Sequence, residues 1–149
     1  MIQIRKLKHD DDLTLLLEEW VEESNDDVFG IDCNPCHTER HLKAGDQTVF
    51  VMIKDEKPVG LIGVQLLNNP IGMGIMANEH LWYVSKVCRG IGSVRFLKHA
   101  MAWAKEKGCS HFMATASMLA SDLHDSVCDL YESIGMKKFE TTYISRLGG

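Results

Sequence analysis

Proline is scarce in this chain of 149 residues, which has only three, and long apolar runs are missing altogether. The longest apolar stretches, such as residues 59–67, are far shorter than the roughly 20 residues that cross a bilayer. Residues 1–5 lack the apolar region of a signal peptide. Hydrophobic residues make up 45% and charged residues 25%, which excludes a disordered or collagen-like chain. We therefore expect one domain over residues 1–149, in the cytoplasm and without a membrane partner.

Basic residues are missing from one part of the chain. No Lys or Arg occurs between Asp10 and Glu39, where eleven acidic residues lie, and the rest of the chain is net positive. Such a division suggests two ligands of opposite charge, although a charged run is commonly a solvated helix face. The total charge of −5 and the lack of a basic stripe interleaved with aromatic residues argue against nucleic acid as a partner.

The number of cysteines, five, is odd, so we expect reduced thiols and no disulfide framework. One pair has the C-x-x-C-H spacing, which is typical of haem attachment or, with a further histidine, of zinc ligands. The residues of this pattern are Cys33, Cys36, His37 and His41. We expect no metal, and a metal site on these four residues is kept as an alternative.

Apolar periodicity and turn residues predict the elements of the fold. In chain order they are a strand at residues 2–4, a helix at 13–21, a short helix at 38–43, strands at 48–53, 59–67 and 80–86, a helix at 94–107, a strand at 111–115, a helix at 123–134 and a final strand at 139–147. This order predicts a mixed sheet with helices on both faces, an α/β (α+β) fold.

The turn at residues 89–93, Arg-Gly-Ile-Gly-Ser, is predicted to join a strand to a helix. The first N–H groups of a helix have no partner within it, and the helix dipole is positive there, so such a turn can bind phosphate oxygens. Glycines let a ligand approach the backbone. Neither G-x-G-x-x-G nor the Gly-Lys-Ser/Thr phosphate-loop signature is present, so the turn alone is a weak signal.

Two segments resemble the GCN5-related N-acetyltransferase (GNAT) superfamily. Residues 89–94 are similar to its acetyl-CoA-binding motif Q/R-x-x-G-x-G/A, with Arg89 first, Gly92 fourth and Val94 in the last place. Residues 130–136, Leu-Tyr-Glu-Ser-Ile-Gly-Met, are similar to its L-Y-E-x-x-G-F/Y segment, and the tail at 140–143 resembles phage-associated members. The resemblance implies a mostly antiparallel central sheet that is splayed between its fourth and fifth strands.

The resemblance also implies a reaction, the transfer of an acetyl group from acetyl-CoA to a primary amine by direct attack through a tetrahedral intermediate. Acetyl-CoA would be the co-substrate, and homodimers are common among relatives. The implied cofactor-binding residues are Val84, Ser85, Arg89, Gly90, Ile91, Gly92, Ser93, Val94 and Arg95. The alternative is a relative that binds acyl-CoA as a sensor or partner module without turnover.

Catalytic roles follow from the same resemblance. Tyr131 matches the tyrosine that gives a proton to the departing CoA thiolate. Glu79 and His80 both match the place where relatives carry the general base, and strand alternation sends them to opposite faces. The sequence leaves open which of the two acts, because His80 titrates in the useful range and Glu79 would need burial to do so.

Substrate choice is implied to depend on the first two helices, which wall the acceptor side in relatives. This wall includes the acidic residues Glu22, Glu23, Asp26 and Asp27. We therefore expect a cationic acceptor, such as a polyamine, an aminoglycoside, lysine or a protein amine. Backbone N–H groups near Val84 or Ser85 are the expected donors to the oxyanion.

Overall fold

The computed structural model describes residues 1–119 and 123–148, with Ile91 described by its backbone alone. Five strands and five helices make up this part of the chain. In chain order they are β1 (Ile2–Lys6), α1 (Thr14–Glu23), α2 (Asp26–Phe29), α3 (Pro35–Leu42), β2 (Thr48–Lys54), β3 (Lys57–Asn68), β4 (Ile75–Val84), α4 (Ile91–Glu106), β5 (Cys109–Met113) and α5 (His124–Ser133), with a short 3-10 helix (Lys86–Cys88) before α4.

The strands form one sheet in the order β1-β2-β3-β4-β5. Pairs among β1 to β4 are antiparallel, and β5 runs parallel to β4. The pairing of β4 with β5 ends at Asn78 and Met113, whereas β4 pairs with β3 as far as Val84. The predicted mixed sheet, splayed between its fourth and fifth strands, is confirmed. We call the opening between the two strands beyond Asn78 the gap.

Helices cover both faces of the sheet, as predicted. On one face Leu16 and Leu17 of α1 pack with Leu61 in one buried cluster. On the other face Phe96 and Leu97 of α4 belong to a second buried cluster. Burying one side chain of this size stabilises the fold by about 1.5–3 kcal/mol, so the two clusters fix the helices to the two faces of the sheet.

A β-bulge interrupts β4 beside the gap. Gly63 pairs with Leu81 and the next residue, Val64, pairs with Glu79, so His80 is an extra residue on β4. A bulge changes the direction in which the following side chains point. Glu79 lies on the α4 and α5 side of the sheet, and His80 lies on the α3 side.

Two of the predicted strands need correction. Residues 137–148 contain no strand, so the predicted final strand at 139–147 is wrong. Its apolar residues Phe139, Tyr143 and Leu147 are 61%, 90% and 88% exposed, and alternation by itself supplies no partner for backbone hydrogen bonds. The strand predicted at 80–86 begins at Ile75 and ends at Val84, because the 3-10 helix takes up the following residues. No helix in the described part of the chain is long and apolar enough to span a membrane.

Candidate active site

Glu79 lies on β4 where the gap begins. Its side chain is almost completely buried, with the residue 2% exposed, and its Oε2 accepts a hydrogen bond of 2.8 Å from the Thr115 N–H. Burial disfavours the charged carboxylate more than this single hydrogen bond favours it. The pKa of Glu79 is therefore raised to about 7. A carboxyl group with this pKa can accept a proton near neutral pH.

Tyr131 of α5 also contacts Thr115, which lies in the connection between β5 and α5. Its hydroxyl donates a hydrogen bond of 2.8 Å to the Thr115 carbonyl, and its ring stacks on Trp82 at a centroid distance of 6.1 Å. Tyr131 is 8% exposed. Burial, and after it the nearby charge of Glu79, hold the pKa of Tyr131 well above its ordinary value. The phenol therefore keeps its proton and is a donor at neutral pH.

His80 is separated from this pair by the bulge. It lies beside Gly63 and its ring is 6.3 Å from the ring of His41 on α3. Partial burial lowers the pKa of His80, and His41 lowers it further. Of the two base candidates that the sequence leaves open, the structure brings Glu79 and not His80 to the same residue as Tyr131.

The start of α4 follows β4 after the short 3-10 helix. Gly90 precedes the helix with φ +118°, a conformation that L side chains rarely adopt, and a Cβ there would meet nothing within 4 Å. No side chain caps the helix and no acidic residue lies in its first turn. These features fit a phosphate group. Gly92 differs from Gly90 in its surroundings, because a Cβ on Gly92 would contact the Ile2 and Met52 side chains of the sheet.

The comparison with known families is decisive at this point. A sequence profile of the acetyltransferase (GNAT) family matches residues 12–136, which is most of the chain. The chain belongs to the GNAT acetyltransferase family. No curated protein matches the sequence.

Solved structures share the GNAT fold over nearly the whole chain. A transcriptional regulator from Bacillus halodurans C-125 superposes with a TM-score of 0.78 at 16% identity, covering 99% of this chain and 100% of its own. A ribosomal-protein-alanine N-acetyltransferase from Brucella melitensis gives 0.77 at 19% identity, with 99% of each chain covered. An aminoglycoside acetyltransferase from an uncultured soil sample gives 0.71 at 13% identity, with 99% of each covered. At these identities the likeness concerns the fold alone.

Arg89 of this GNAT domain contacts α1 instead of the start of α4. Its Nη2 donates to both carboxylate oxygens of Glu23, at 2.8 and 3.1 Å, and its Nε donates to the Val84 carbonyl at 2.9 Å. The guanidinium also lies over the ring of Tyr83, 5.4 Å from its centre. The predicted phosphate residue Arg89 and the predicted acceptor residue Glu23 therefore bind each other. Arg95, one turn into α4, is exposed.

Tyr83 joins α1 to the end of β4. Its hydroxyl lies 2.7 Å from Glu19 Oε2 and 2.5 Å from Glu23 Oε1, and Ser85 Oγ donates to Glu19 at 3.0 Å. Burial and the two carboxylates raise the pKa of Tyr83 far above its ordinary value. This cluster of Glu19, Glu23, Tyr83 and Ser85 was not predicted from the sequence. Its signal was the spacing of four residues between Glu19 and Glu23, which places them on one helix face.

The backbone at the end of β4 offers one donor to the gap. The Ser85 N–H donates to the Val59 carbonyl of β3 at 2.8 Å, so it is not available to an oxyanion. Backbone groups alternate between the two neighbours of a strand, which directs the Val84 N–H towards the gap. Of the two donors expected from the sequence, only the Val84 N–H is directed towards the gap.

The α1–α2 connection reaches across the gap. The Asn25 N–H donates to the Leu119 carbonyl, and Asn25 Nδ2 donates to the Met118 carbonyl, both at 2.8 Å. The acidic residues near Asn25 are Glu22, Glu23, Asp26 and Asp27. Among residues 1–119 and 123–148, only Glu23 of these four is in an ion pair. The other three are acidic neighbours of Asn25 without an ion-pair partner among these residues.

The alternative metal site is not assembled. Within the described residues, no group of three or more His, Cys, Asp or Glu side chains is arranged to hold a metal ion. The pKa of Cys33 is raised mainly by burial, and its thiol lies near Ser24, whereas His41 lies beside His80. The four residues of the Cys-x-x-Cys-His pattern therefore do not converge.

Proposed function

We propose that this GNAT domain is an N-acetyltransferase that transfers the acetyl group of acetyl-CoA to a primary amine. The observation that carries the proposal is the placement of Glu79 and Tyr131 on the two polar groups of Thr115, where β4 and β5 separate. Glu79 has the pKa of a base that works near neutral pH, and Tyr131 keeps its proton. Neighbouring groups whose pKa values are pushed apart suit the two proton transfers of this reaction.

Each of the two residues handles one proton. A primary ammonium, with a pKa of about 10.4, must lose a proton before its nitrogen can attack, and Glu79 takes that proton directly or through one water. A bond forms between the amine nitrogen and the acetyl carbon, and the bond from that carbon to sulfur breaks. The Tyr131 hydroxyl gives its proton to the departing thiolate, and the second proton that the nitrogen loses as the amide forms returns to Tyr131 through water. The Val84 N–H is placed to stabilise negative charge on the acetyl oxygen.

The start of α4 is the proposed holder of the pyrophosphate of CoA. Its first backbone N–H groups, those of Ile91 and Gly92, lie at the positive end of the helix dipole, and Gly90 adds no side chain beside them, whereas the Ser93 N–H donates to the Gly90 carbonyl at 3.0 Å. Acetyl-CoA supplies an activated thioester. The unpaired edge of β4 along the gap is the proposed place for the pantetheine arm, which would bind there like an added strand.

The acceptor in this proposal is cationic. The connection that crosses the gap is flanked by Glu22, Asp26 and Asp27. No Lys or Arg between Asp10 and Glu39 neutralises their charge. Negative potential at a cleft attracts and orients positively charged substrates. The proposal includes a cytoplasmic location, where acetyl-CoA is made available, and it requires neither nucleic acid nor a membrane. The proposal also includes a homodimer, and sedimentation of the purified protein tests this oligomeric state.

The test is amine acetylation followed by thiol release, with Glu79→Gln and Tyr131→Phe beside the wild type. We expect each variant to lower kcat/KM for the amine by about 10²–10⁴-fold, the usual worth of a general acid or base. Below pH 7 the wild type should lose activity more steeply than above it, because Glu79 becomes protonated there and can no longer take the proton of the ammonium. Glu79→Gln should abolish that change of slope.

Matched controls are Glu18→Gln and Tyr143→Phe, which change exposed residues of the same types. Both should keep wild-type rates. Wild-type activity in Glu79→Gln at pH 7, with the same change of slope, would contradict the assigned base. Acetyl-CoA binding without turnover on any amine would instead favour the sensor module.

A further inference from the structure

The Arg89 side chain occupies the edge of β4 that borders the gap. The Ser85 N–H donates to the Val59 carbonyl of β3, so the polar groups of the preceding residue, Val84, point away from β3. Within the described residues, β5 pairs with this side of β4 only as far as Asn78. The Val84 carbonyl instead accepts a hydrogen bond of 2.9 Å from Arg89 Nε. This nitrogen lies where the N–H of an added strand would lie.

The same guanidinium is held from its other side by α1. Its Nη2 donates to both carboxylate oxygens of Glu23, and the Tyr83 hydroxyl lies 2.5 Å from one of them. Burial acts to raise the pKa of Glu23, but the hydrogen bonds from Tyr83 and Arg89 hold it below its ordinary value. The Glu23 side chain is 9% exposed and the Arg89 side chain is 27% exposed. The pair is therefore shielded from water at Glu23 and partly open at Arg89.

We propose that Arg89 makes an autoinhibitory contact, which closes the end of β4 in the free protein and breaks when the pantetheine arm of CoA binds there. An added strand pairs through the unpaired backbone groups of an edge, and at the end of β4 these are the N–H and the carbonyl of Val84. Arg89 Nε and an amide of the pantetheine arm would need the same position beside the Val84 carbonyl. The inference rests on the proposed function for the place of the pantetheine arm.

Breaking the contact frees two opposite charges. The partly exposed guanidinium of Arg89 can turn towards the phosphates of CoA, which it binds through the same N–H donors. Glu23 then loses its ion-pair partner, and its carboxylate adds to the negative potential that attracts a cationic acceptor. Each ligand thereby favours the binding of the other, because both select the state in which the ion pair is broken.

The first measurement is NMR of the full-length isotope-labelled protein, which follows the NOEs between the Arg89 Nε–H and the Tyr83 ring. The guanidinium carbon lies 5.4 Å from the centre of that ring in the free protein, so these NOEs should be present. The probes are CoA and 3′-phosphoadenosine 5′-diphosphate, which carries the phosphates of CoA without the pantetheine arm. We expect saturating CoA to abolish the NOEs and the nucleotide to leave them.

The second measurement is the Kd of both probes for Glu23→Gln, which keeps the size of the side chain but removes the charge that holds Arg89. The Kd of CoA should fall about three- to tenfold relative to that of the nucleotide, since only CoA has to displace Arg89 from Val84. Glu18→Gln makes the same change of charge at an exposed position of α1. This control should leave the ratio of the two Kd values as in the wild type.

NOEs that persist in the CoA complex, or a ratio of Kd values that Glu23→Gln leaves unchanged, would overturn the autoinhibitory contact. If Glu23→Gln does not fold, the NOEs of the wild type decide alone. If CoA does not bind, the autoinhibitory contact and the proposed function both fail. If CoA displaces Arg89 but no amine is ever acetylated, only the proposed function fails. If amines are acetylated and the NOEs persist, only the autoinhibitory contact fails.

Discussion

Replacement of Glu79 by glutamine should change how stability depends on pH, whatever the reaction is. In the folded chain the pKa of this carboxyl group is about 7, against an ordinary value of 4.5. Between these values the folded chain holds a proton that the unfolded chain releases. A raised pKa of an acid therefore means that the wild type loses stability as the pH rises through this window.

The size of the effect follows from the difference between the two pKa values. At 1.36 kcal/mol per unit, burying the ionised carboxylate costs about 3 kcal/mol at high pH, and most of this develops between pH 5 and pH 8. Glutamine cannot ionise, so Glu79→Gln should lack this loss. Any constant cost of the amide in the buried site cancels when the two pH values are compared.

The assay is urea unfolding of the wild type and Glu79→Gln at pH 5 and pH 8, with Glu18→Gln as the exposed control. We expect the stability of Glu79→Gln relative to the wild type to rise by about 2–3 kcal/mol from pH 5 to pH 8, or roughly 5–10 °C in Tm. The control should follow the wild type at both values. A relative stability that is the same at both pH values within about 0.5 kcal/mol would refute the raised pKa of Glu79.

Two further predictions concern the end of β4 and the turn that follows it. Tyr83→Phe removes the hydroxyl that lies between the two α1 carboxylates and should cost roughly 1.5–3 kcal/mol of unfolding free energy, as for hydrogen bonds to charged groups. Tyr143→Phe, on an exposed ring, should change it by less than about 0.5 kcal/mol in the same urea titration, and equal effects would contradict the cluster. Gly90→Ala should destabilise by about 1–3 kcal/mol because of its positive φ, whereas Gly92→Ala, whose Cβ would meet only ordinary contacts, should be neutral or stabilising by up to about 1 kcal/mol. Thermal unfolding of both alanine variants distinguishes them, and the reverse order would show that the backbone at the turn is not as described.

Local sequence patterns predicted the elements whose apolar faces are strongly periodic. The helices α1, α4 and α5 and the first three strands lie close to their predicted places, because a buried stripe or face requires that spacing. The predicted ends of the elements were less accurate. The start of β4 was placed too late, because the glycine and proline residues before it are typical of a loop. The prediction of a final strand at residues 139–147 was wrong because the alternation of apolar and polar residues does not specify a partner strand.

Some features of the candidate site were also visible in the sequence, and others were not. The turn at Gly90 and the tyrosine at 131 stand out in the sequence because they belong to short motifs carried by one element each. The partners of Glu79 and Tyr131 are backbone groups of Thr115, and a backbone group has no sequence signal. The raised pKa of Glu79 arises from burial, which depends on elements that are distant in the chain.

The sequence by itself determined the order of elements, the glycine turn before α4, the acidic segment and the family to which the chain belongs. Only the tertiary structure shows that Glu79, and not His80, contacts the same residue as Tyr131, because the bulge in β4 is a matter of register between two strands. It also decided that Arg89 binds Glu23, since the two residues are 66 positions apart in the chain. Local periodicity reports which face of an element is buried, and charge pairing and burial depend on which elements meet.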